Sequence, residues 1–215
     1  RRIQKFDSNG TFITKWGSYG SGNGQFNFPR DIAVSPDGTI FVADTSNNRI
    51  QKFDSNGNFI AQWGGSGNGD GQFNYPHGIA VAPDSTVYVT DAWNRRIQKF
   101  DGAGTFIRKW DVYADAYDVS IGSDGSVFVT TSSKTVQKYT PNGSLLASWG
   151  AGWLPYPYGA AVSPDGFIYV ADSWNHRIQK FDGSGTYIAT WSSKGSGDGE
   201  FSYPNRIAEA ADGSL

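Results

Sequence analysis
The chain has 215 residues, a net charge of −2, no cysteine and no methionine. That charge gives no global pull towards nucleic acid. The missing cysteines exclude disulfides and thiol nucleophiles, and no apolar run approaches the roughly 20 residues of a membrane-spanning helix. With 8 Trp, 11 Tyr, 14 Phe and 28 Gly, the composition favours short strands joined by tight turns, in one all-β domain over 1–215.

In chain order, RRIQKFD at 1–7 returns as NRIQKFD at 48–54, RRIQKFD at 95–101, a worn TVQKYT at 135–140 and HRIQKFD at 176–182. Repeats of this period point to solenoids, propellers or arrays. One period reads as four strands. Residues 31–34 (DIAV) make strand A, Ser35-Pro36-Asp37-Gly38 a turn, and 40–44 strand B. A loop at 45–48 leads to RIQKFD as strand C, and the Asn56-Gly57 hairpin signal leads to strand D at 58–63. A strands recur near 31, 78, 118, 159 and 206, and Trp16, Trp63, Trp110, Trp149 and Trp191 close the D strands. Four-stranded antiparallel units of this length suggest propeller blades.

These residues resemble the NHL repeat, through motifs such as YPHGIAVAPDSTVYVTDAWNRRIQKFD at 75–101, over essentially the whole chain. The resemblance implies a β-propeller of four-stranded NHL-type blades. It leaves function open, since NHL propellers host protein, RNA and carbohydrate binders as well as a zinc lyase. The chain starts at strand C and stops after strand A, which gives about five blades. Strands 1–16 are expected to complete the last blade with 204–215, the alternative being a piece of a six-bladed or longer propeller.

Comparison among the repeats assigns several residues to structure. Asp44, Asp91 and Asp172 end B strands where Arg49, Arg96 and Arg177 start C strands; the third repeat has Thr131 and Thr135 instead, so a B–C ion pair is expected. The periodic Lys5, Lys52, Lys99, Lys138 and Lys180 read as snorkelling stems. The glycine-rich D–A loops (20–26, 67–73, 195–201) read as flexible connectors with Phe26, Phe73 and Phe201 packed inwards, because none has the strand–loop–helix setting of a phosphate cradle.

Function is expected at the end carrying the D–A and B–C loops. The residues entering the A strands there are Arg30, His77, Tyr117, Tyr158 and Asn205, and the B–C loops add Trp93, Trp174, Arg95 and His176. Trp93 and Trp174 are either stacking surfaces or covers for blade edges. The zinc lyase that the resemblance brings in takes its ligands from Pro-His motifs entering A strands. Only His77, in Tyr75-Pro76-His77-Gly78, matches; His176 aligns with Asn48 and Arg95 as a surface loop residue. Zinc catalysis needs three protein ligands, so no catalytic residue, metal or cofactor is expected. A calcium site built from Asp118, Asn205 and Glu209 finds no support in their spacing.

The expectation is therefore a non-enzymatic binding or scaffold module for a protein or glycan. The first alternative is a structural subunit of an extracellular fibre or array, assembled by strand addition at open blade edges. An RNA reading would use Arg1, Arg30, Arg95 and Arg206, and the net charge and the Asp pairing weigh against it. The sequons Asn9-Gly10-Thr11 and Asn142-Gly143-Ser144, with the composition, suggest a glycoprotein at a prokaryotic cell surface or secreted.

Overall fold
The computed structural model describes residues 1–151, 154–192, 194–209 and 214. The chain divides into two compact units, 1–109 and 110–215, with the boundary inside one strand. Every described strand belongs to an antiparallel up-and-down sheet. The first sheet has two strands, β1 (Ile3–Phe6) and β2 (Phe12–Trp16). The next holds β3 (Pro29–Val34), β4 (Ile40–Asp44), β5 (Arg49–Phe53) and β6 (Phe59–Gly64) in that order. It is followed by β7 (Pro76–Val81), β8 (Val87–Asp91), β9 (Arg96–Phe100) and β10 (Phe106–Asp111). The second unit repeats the plan with β11 (Ala116–Ile121), β12 (Val127–Thr131), β13 (Thr135–Tyr139) and β14 (Leu145–Trp149). Its last sheet is β15 (Pro157–Val162), β16 (Ile168–Asp172), β17 (Arg177–Phe181) and β18 (Tyr187–Ser192).

Of the expected fifth A strand near 206, the described residues 204–209 carry no assigned strand, and 210–213 and 215 lie outside the described residues. The expected completion of a blade by 1–16 with 204–215 falls largely on that segment.

Burial explains why these stretches are strands. All five residues of β4, β8, β12 and β16 are buried, so both faces are covered and β-branched or aromatic side chains fill them. In the first unit Phe41, Ile50, Phe73, Val87, Val89 and Phe100 form one core, with Trp63 packed against it. In the second, Phe128, Val136, Leu154, Ile168, Val170 and Phe181 do the same around Trp149. The B–C register sets Asp44 opposite Arg49, Asp91 opposite Arg96, Thr131 opposite Thr135 and Asp172 opposite Arg177.

Neighbouring sheets interlock through the Trp that closes each D strand. A Cβ placed on Gly57 would lie 2.6 Å from the Trp16 ring, and one on Gly104 would lie 2.6 Å from Trp63. Gly143 under Trp110 and Gly185 under Trp149 repeat the arrangement, at 2.6 and 2.5 Å. These hairpin glycines also hold φ between +87° and +92°. Glycine is required twice over, for the backbone and for the indole lying on it.

Candidate functional site
The loop end of each unit is built on a buried polar network. Arg49 Nε donates to Asp44 Oδ2 at 2.8 Å, while its terminal nitrogens donate to the carbonyls of Ser21, Gly22 and Gln25. Gln51 donates to Gln25 O and to Asp44 Oδ2, and accepts the Gly24 N–H. Asp44 Oδ1 takes the Asn27 N–H at 2.7 Å. Arg96, Gln98 and Asp91 repeat this around 67–74. Burial pushes Asp91 above the usual carboxylate range, against the pull of Asn74, Asn94 and Arg96. The expected ion pairs are thus present, and the glycine-rich loops are tied connectors rather than flexible ones, because an arginine fork fills the turn with donors. The periodic lysines do more than snorkel. Lys5, Lys52 and Lys138 each donate to a turn carbonyl of the following sheet, at Ser55, Gly102 and Gly183.

On this scaffold the first unit assembles Arg30, His77, Tyr75 and Trp93. Trp93 is 61% exposed and lies flat on Tyr75, with ring centroids 4.6 Å apart at 7°. Arg30 donates to Tyr75 Oη at 2.9 Å and meets His77 Nε2 at 3.2 Å. A guanidinium has only donors, so Nε2 of this buried histidine is the acceptor and is already engaged. Arg95, exposed and left-handed at φ 53°, ends the loop that carries Trp93.

The second unit places a different set together. Tyr117 and Tyr158 stack on each other at 4.8 Å and 5°, and burial, then the Tyr158 neighbour, raises the Tyr117 hydroxyl above its ordinary pKa. Trp174, 59% exposed, stacks on Tyr156 at 4.8 Å and meets Tyr203 edge-on at 6.1 Å. His176 corrects the sequence expectation of a surface residue. It is 8% exposed, its Nδ1 accepts the Tyr203 N–H at 3.1 Å, and its ring packs on Tyr203. Asn48 does the same work in the first unit, its Oδ1 accepting the Tyr75 N–H at 2.8 Å. The histidine offers an acceptor nitrogen where asparagine offers an oxygen, which is why the two align.

Asn205 is exposed and contributes its backbone, whose carbonyl closes over Gly159. Asp118 is ion-paired with Arg206 and accepts the Ala160 N–H at 3.0 Å. Among the described residues no three His, Asp or Glu side chains gather as a metal site. The sequon residues Asn9 and Asn142 are exposed on turns.

The sequence reading missed Tyr75, Tyr156 and Tyr203. The signal was the aromatic–proline dipeptide ahead of β3, β7 and β15 (Phe28-Pro29, Tyr75-Pro76 and Tyr156-Pro157), which returns as Tyr203-Pro204 and is missing ahead of β11. Phe28, Tyr75 and Tyr203 hold φ of 50°, 62° and 51°. Bulky residues rarely adopt that region; it turns these rings out of the core, towards the tryptophans and Arg1, whose guanidinium lies 3.9 Å from the Phe28 centroid.

The NHL repeat model matches residues 26–53, 73–100 and 154–181. The chain carries NHL repeats. These cover the β4–β5, β8–β9 and β16–β17 pairs; the β11–β14 sheet, which lacks the Asp–Arg pair, falls outside the matches. Protein brain tumor of Drosophila melanogaster is 42% identical over 57 residues, 26% of this chain and 6% of that protein, so the match spans only a small part of the relative's length. Among solved structures, a catalytically inactive virginiamycin B lyase from Staphylococcus aureus with quinupristin aligns with a TM-score of 0.72 at 17% identity, over 98% of this chain and 68% of the other. A streptogramin B lyase aligns at 0.71 and 17%, over 99% and 67%. Hydrazine synthase of Kuenenia stuttgartiensis aligns at 0.61 and 20%, over 80% and 52%. Likeness at these identities carries the fold alone: the NHL repeats form a β-propeller fold.

Proposed function
We propose that this NHL chain is a non-enzymatic binding module that engages a protein or glycan outside the cell through the loop ends of its sheets. One observation carries the reading: Trp93 keeps more than half of its surface in solvent while its ring is fixed against Tyr75. A large apolar side chain left exposed yet rigid offers contact area at little entropic loss on binding. Trp174 on Tyr156 supplies a second such platform. The exposed Asn9 and Asn142 sequons fit an extracellular setting, and hexose-sized mass steps on the native material would show their use. The test is an array of glycans and extracellular proteins probed with the wild type, Trp93→Ser and Trp174→Ser. Binders that weaken at least tenfold with either variant support the module; binders indifferent to both variants sink it.

A second reading has its own support. The β1–β2 sheet has two strands where the other four sheets have four, and an open strand edge is a template for pairing. In that reading copies assemble into an array by strand addition. Sedimentation of a single 23.3 kDa species from micromolar to millimolar protein would remove it.

A further inference from the structure
We propose that copies of this chain associate head to tail, the β15–β18 sheet of one copy packing on the β1–β2 sheet of the next, with Trp191 set on its neighbour's Phe6 and Gly10. The contact differs from strand addition in joining sheets by their faces rather than their edges, and it does not draw on the binding reading above.

The pattern for the contact is repeated inside the chain. Trp16, Trp63, Trp110 and Trp149 lie on the hairpin glycines Gly57, Gly104, Gly143 and Gly185 of the following sheet. Each indole also meets the ring that ends the C strand of that sheet: Phe53 at 6.0 Å, Phe100 at 5.8 Å, Tyr139 at 6.0 Å and Phe181 at 6.4 Å. All four rings are buried. The D–A connection adds an apolar cover, Phe26 on Phe53 and Phe73 on Phe100, both at 5.7 Å. At three of the joints a lysine of one sheet bonds a hairpin carbonyl of the next, Lys5 to Ser55, Lys52 to Gly102 and Lys138 to Gly183.

Two surfaces present the same parts in solvent. On the last sheet the fifth tryptophan, Trp191, is 43% exposed, and Phe201 is only partly buried where Phe26 and Phe73 are fully so. Beside them an apolar hollow of about 470 Å³ opens among Ile178, Trp191, Phe201, Pro204 and Ile207. On the first sheet, Phe6 holds the place of Phe53 and is 49% exposed. Gly10 holds the place of Gly57, and a Cβ built on it would meet nothing within 4 Å. The occupant of each surface is thus specified by the chain itself. Trp191 and the hollow are the inserting half, and Phe6 and Gly10 the receiving half. Lys180, now over the Phe167 ring at 3.7 Å, corresponds to Lys5, and the Ser8 carbonyl to that of Ser55. Docking takes two exposed aromatic side chains out of water. Because each copy offers two different faces the contact is heterologous, and addition continues beyond two copies unless a ring closes.

Trp191→Ser removes the inserting half. Gly10→Asn blocks the receiving half, since asparagine accepts the left-handed turn while its Cβ stands where the indole would lie. Phe6→Thr replaces it if the turn loses stability, and Gly166→Asn, at a turn glycine with open space, is the control. Whole chains with an unchanged circular dichroism spectrum are compared by sedimentation from micromolar to millimolar protein. The wild type is expected to form species above 23.3 kDa that grow with concentration. Trp191→Ser and Gly10→Asn should each weaken self-association at least tenfold, and Gly166→Asn should not. An equal mixture of Trp191→Ser and Gly10→Asn chains keeps one working pair of faces, so it should form a one-to-one dimer and nothing larger. A wild type of 23.3 kDa at every concentration overturns the proposal and leaves the binding module standing. Assemblies that survive both variants overturn it in favour of edge pairing, and a mixture that stays monomeric overturns the head-to-tail contact.

Discussion
The two halves of the chain are built on one apolar plan with different polar fittings. In residues 1–109 both four-stranded sheets carry the full Asp–Arg–Gln set, each carboxylate saturated by the loop it organises. In residues 110–215 the β11–β14 sheet replaces the ion pair by hydroxyls: Thr131 and Thr135 bond at 2.8 Å, and Gln137 accepts the Tyr139 hydroxyl. Burial lifts that Tyr139 hydroxyl to about 12. The last sheet keeps Asp172 and Arg177 but leaves Asp172 Oδ1 buried with no hydrogen-bond partner among the described residues. The reason is in the sequence. Asn27 and Asn74 donate their N–H to this oxygen in the first half, and the matching residue of the last repeat is Pro155, which has no N–H. The comparison teaches that the polar set can be exchanged as a whole at no cost to the fold, while exchanging one member leaves a debt visible in a single atom.

The largest test of this contrast removes one cation. Arg96→Ala strands a buried Asp91 and is expected to cost about 3–5 kcal/mol of stability, whereas Thr135→Val in the neutral sheet costs about 1 kcal/mol. Chemical denaturation of both variants measures the difference, and equal losses would erase the distinction between the halves. Next come the hairpin glycines. Gly104→Ala meets the Trp63 ring as well as a left-handed backbone, and about 2–3 kcal/mol is expected; Gly166→Ala, with φ +87° and open space, meets the backbone strain alone at about 1 kcal/mol.

A gain is expected in the last sheet. Pro155→Ala restores an N–H facing Asp172 Oδ1, worth about 1.5–3 kcal/mol to a charged acceptor, against a loss of about 0.4–1 kcal/mol of backbone rigidity. The net is a melting temperature higher by a few degrees; a lower one would mean that the oxygen is satisfied in solution by water.

The smallest effect is in acid. Hydrogen bonds from Ser35 and then Thr39 hold Asp37 at about 2, and Asp7, Asp54, Asp84 and Asp101 in the same half are also held below the ordinary carboxylate value of 3.8. A carboxylate depressed by folding contributes stability above its unfolded pKa and loses it as pH falls through the folded one. Stability is therefore expected to be level from pH 7 to 5 and to fall from about pH 4 to 2. In the second half, among the described residues, only Asp182 and Asp124 are lowered, Asp124 against the opposing pull of burial through its Ser126 hydrogen bonds, so the decline should be weaker there. Amide exchange followed by mass spectrometry across that range separates the halves, and Asp37→Asn should flatten the slope slightly in the first.

How much was legible follows the range of the interactions. Strand order, the four-stranded period, the hairpin glycines and the Asp–Arg pairs are set by contacts within one repeat, so periodic residues announce them. The family resemblance rests on the same local pattern. The candidate site was legible only in part. Arg30, His77, Trp93 and Trp174 stand where the loops put them, yet the partner rings Tyr75, Tyr156 and Tyr203 belong to a neighbouring connection and were hidden as aromatic–proline dipeptides.

The sequence by itself determined that the chain is a repeated β-sheet protein, because apolar alternation and turn residues act over a few neighbours. Only the tertiary structure decided that His176 is buried beneath Tyr203, that Trp16 and Trp63 lie on glycines of the next sheet, and that Asp172 is short of one donor. Each of those depends on groups 17 to 41 residues apart meeting at hydrogen-bond or van der Waals distance, and no local pattern records which face a side chain meets there.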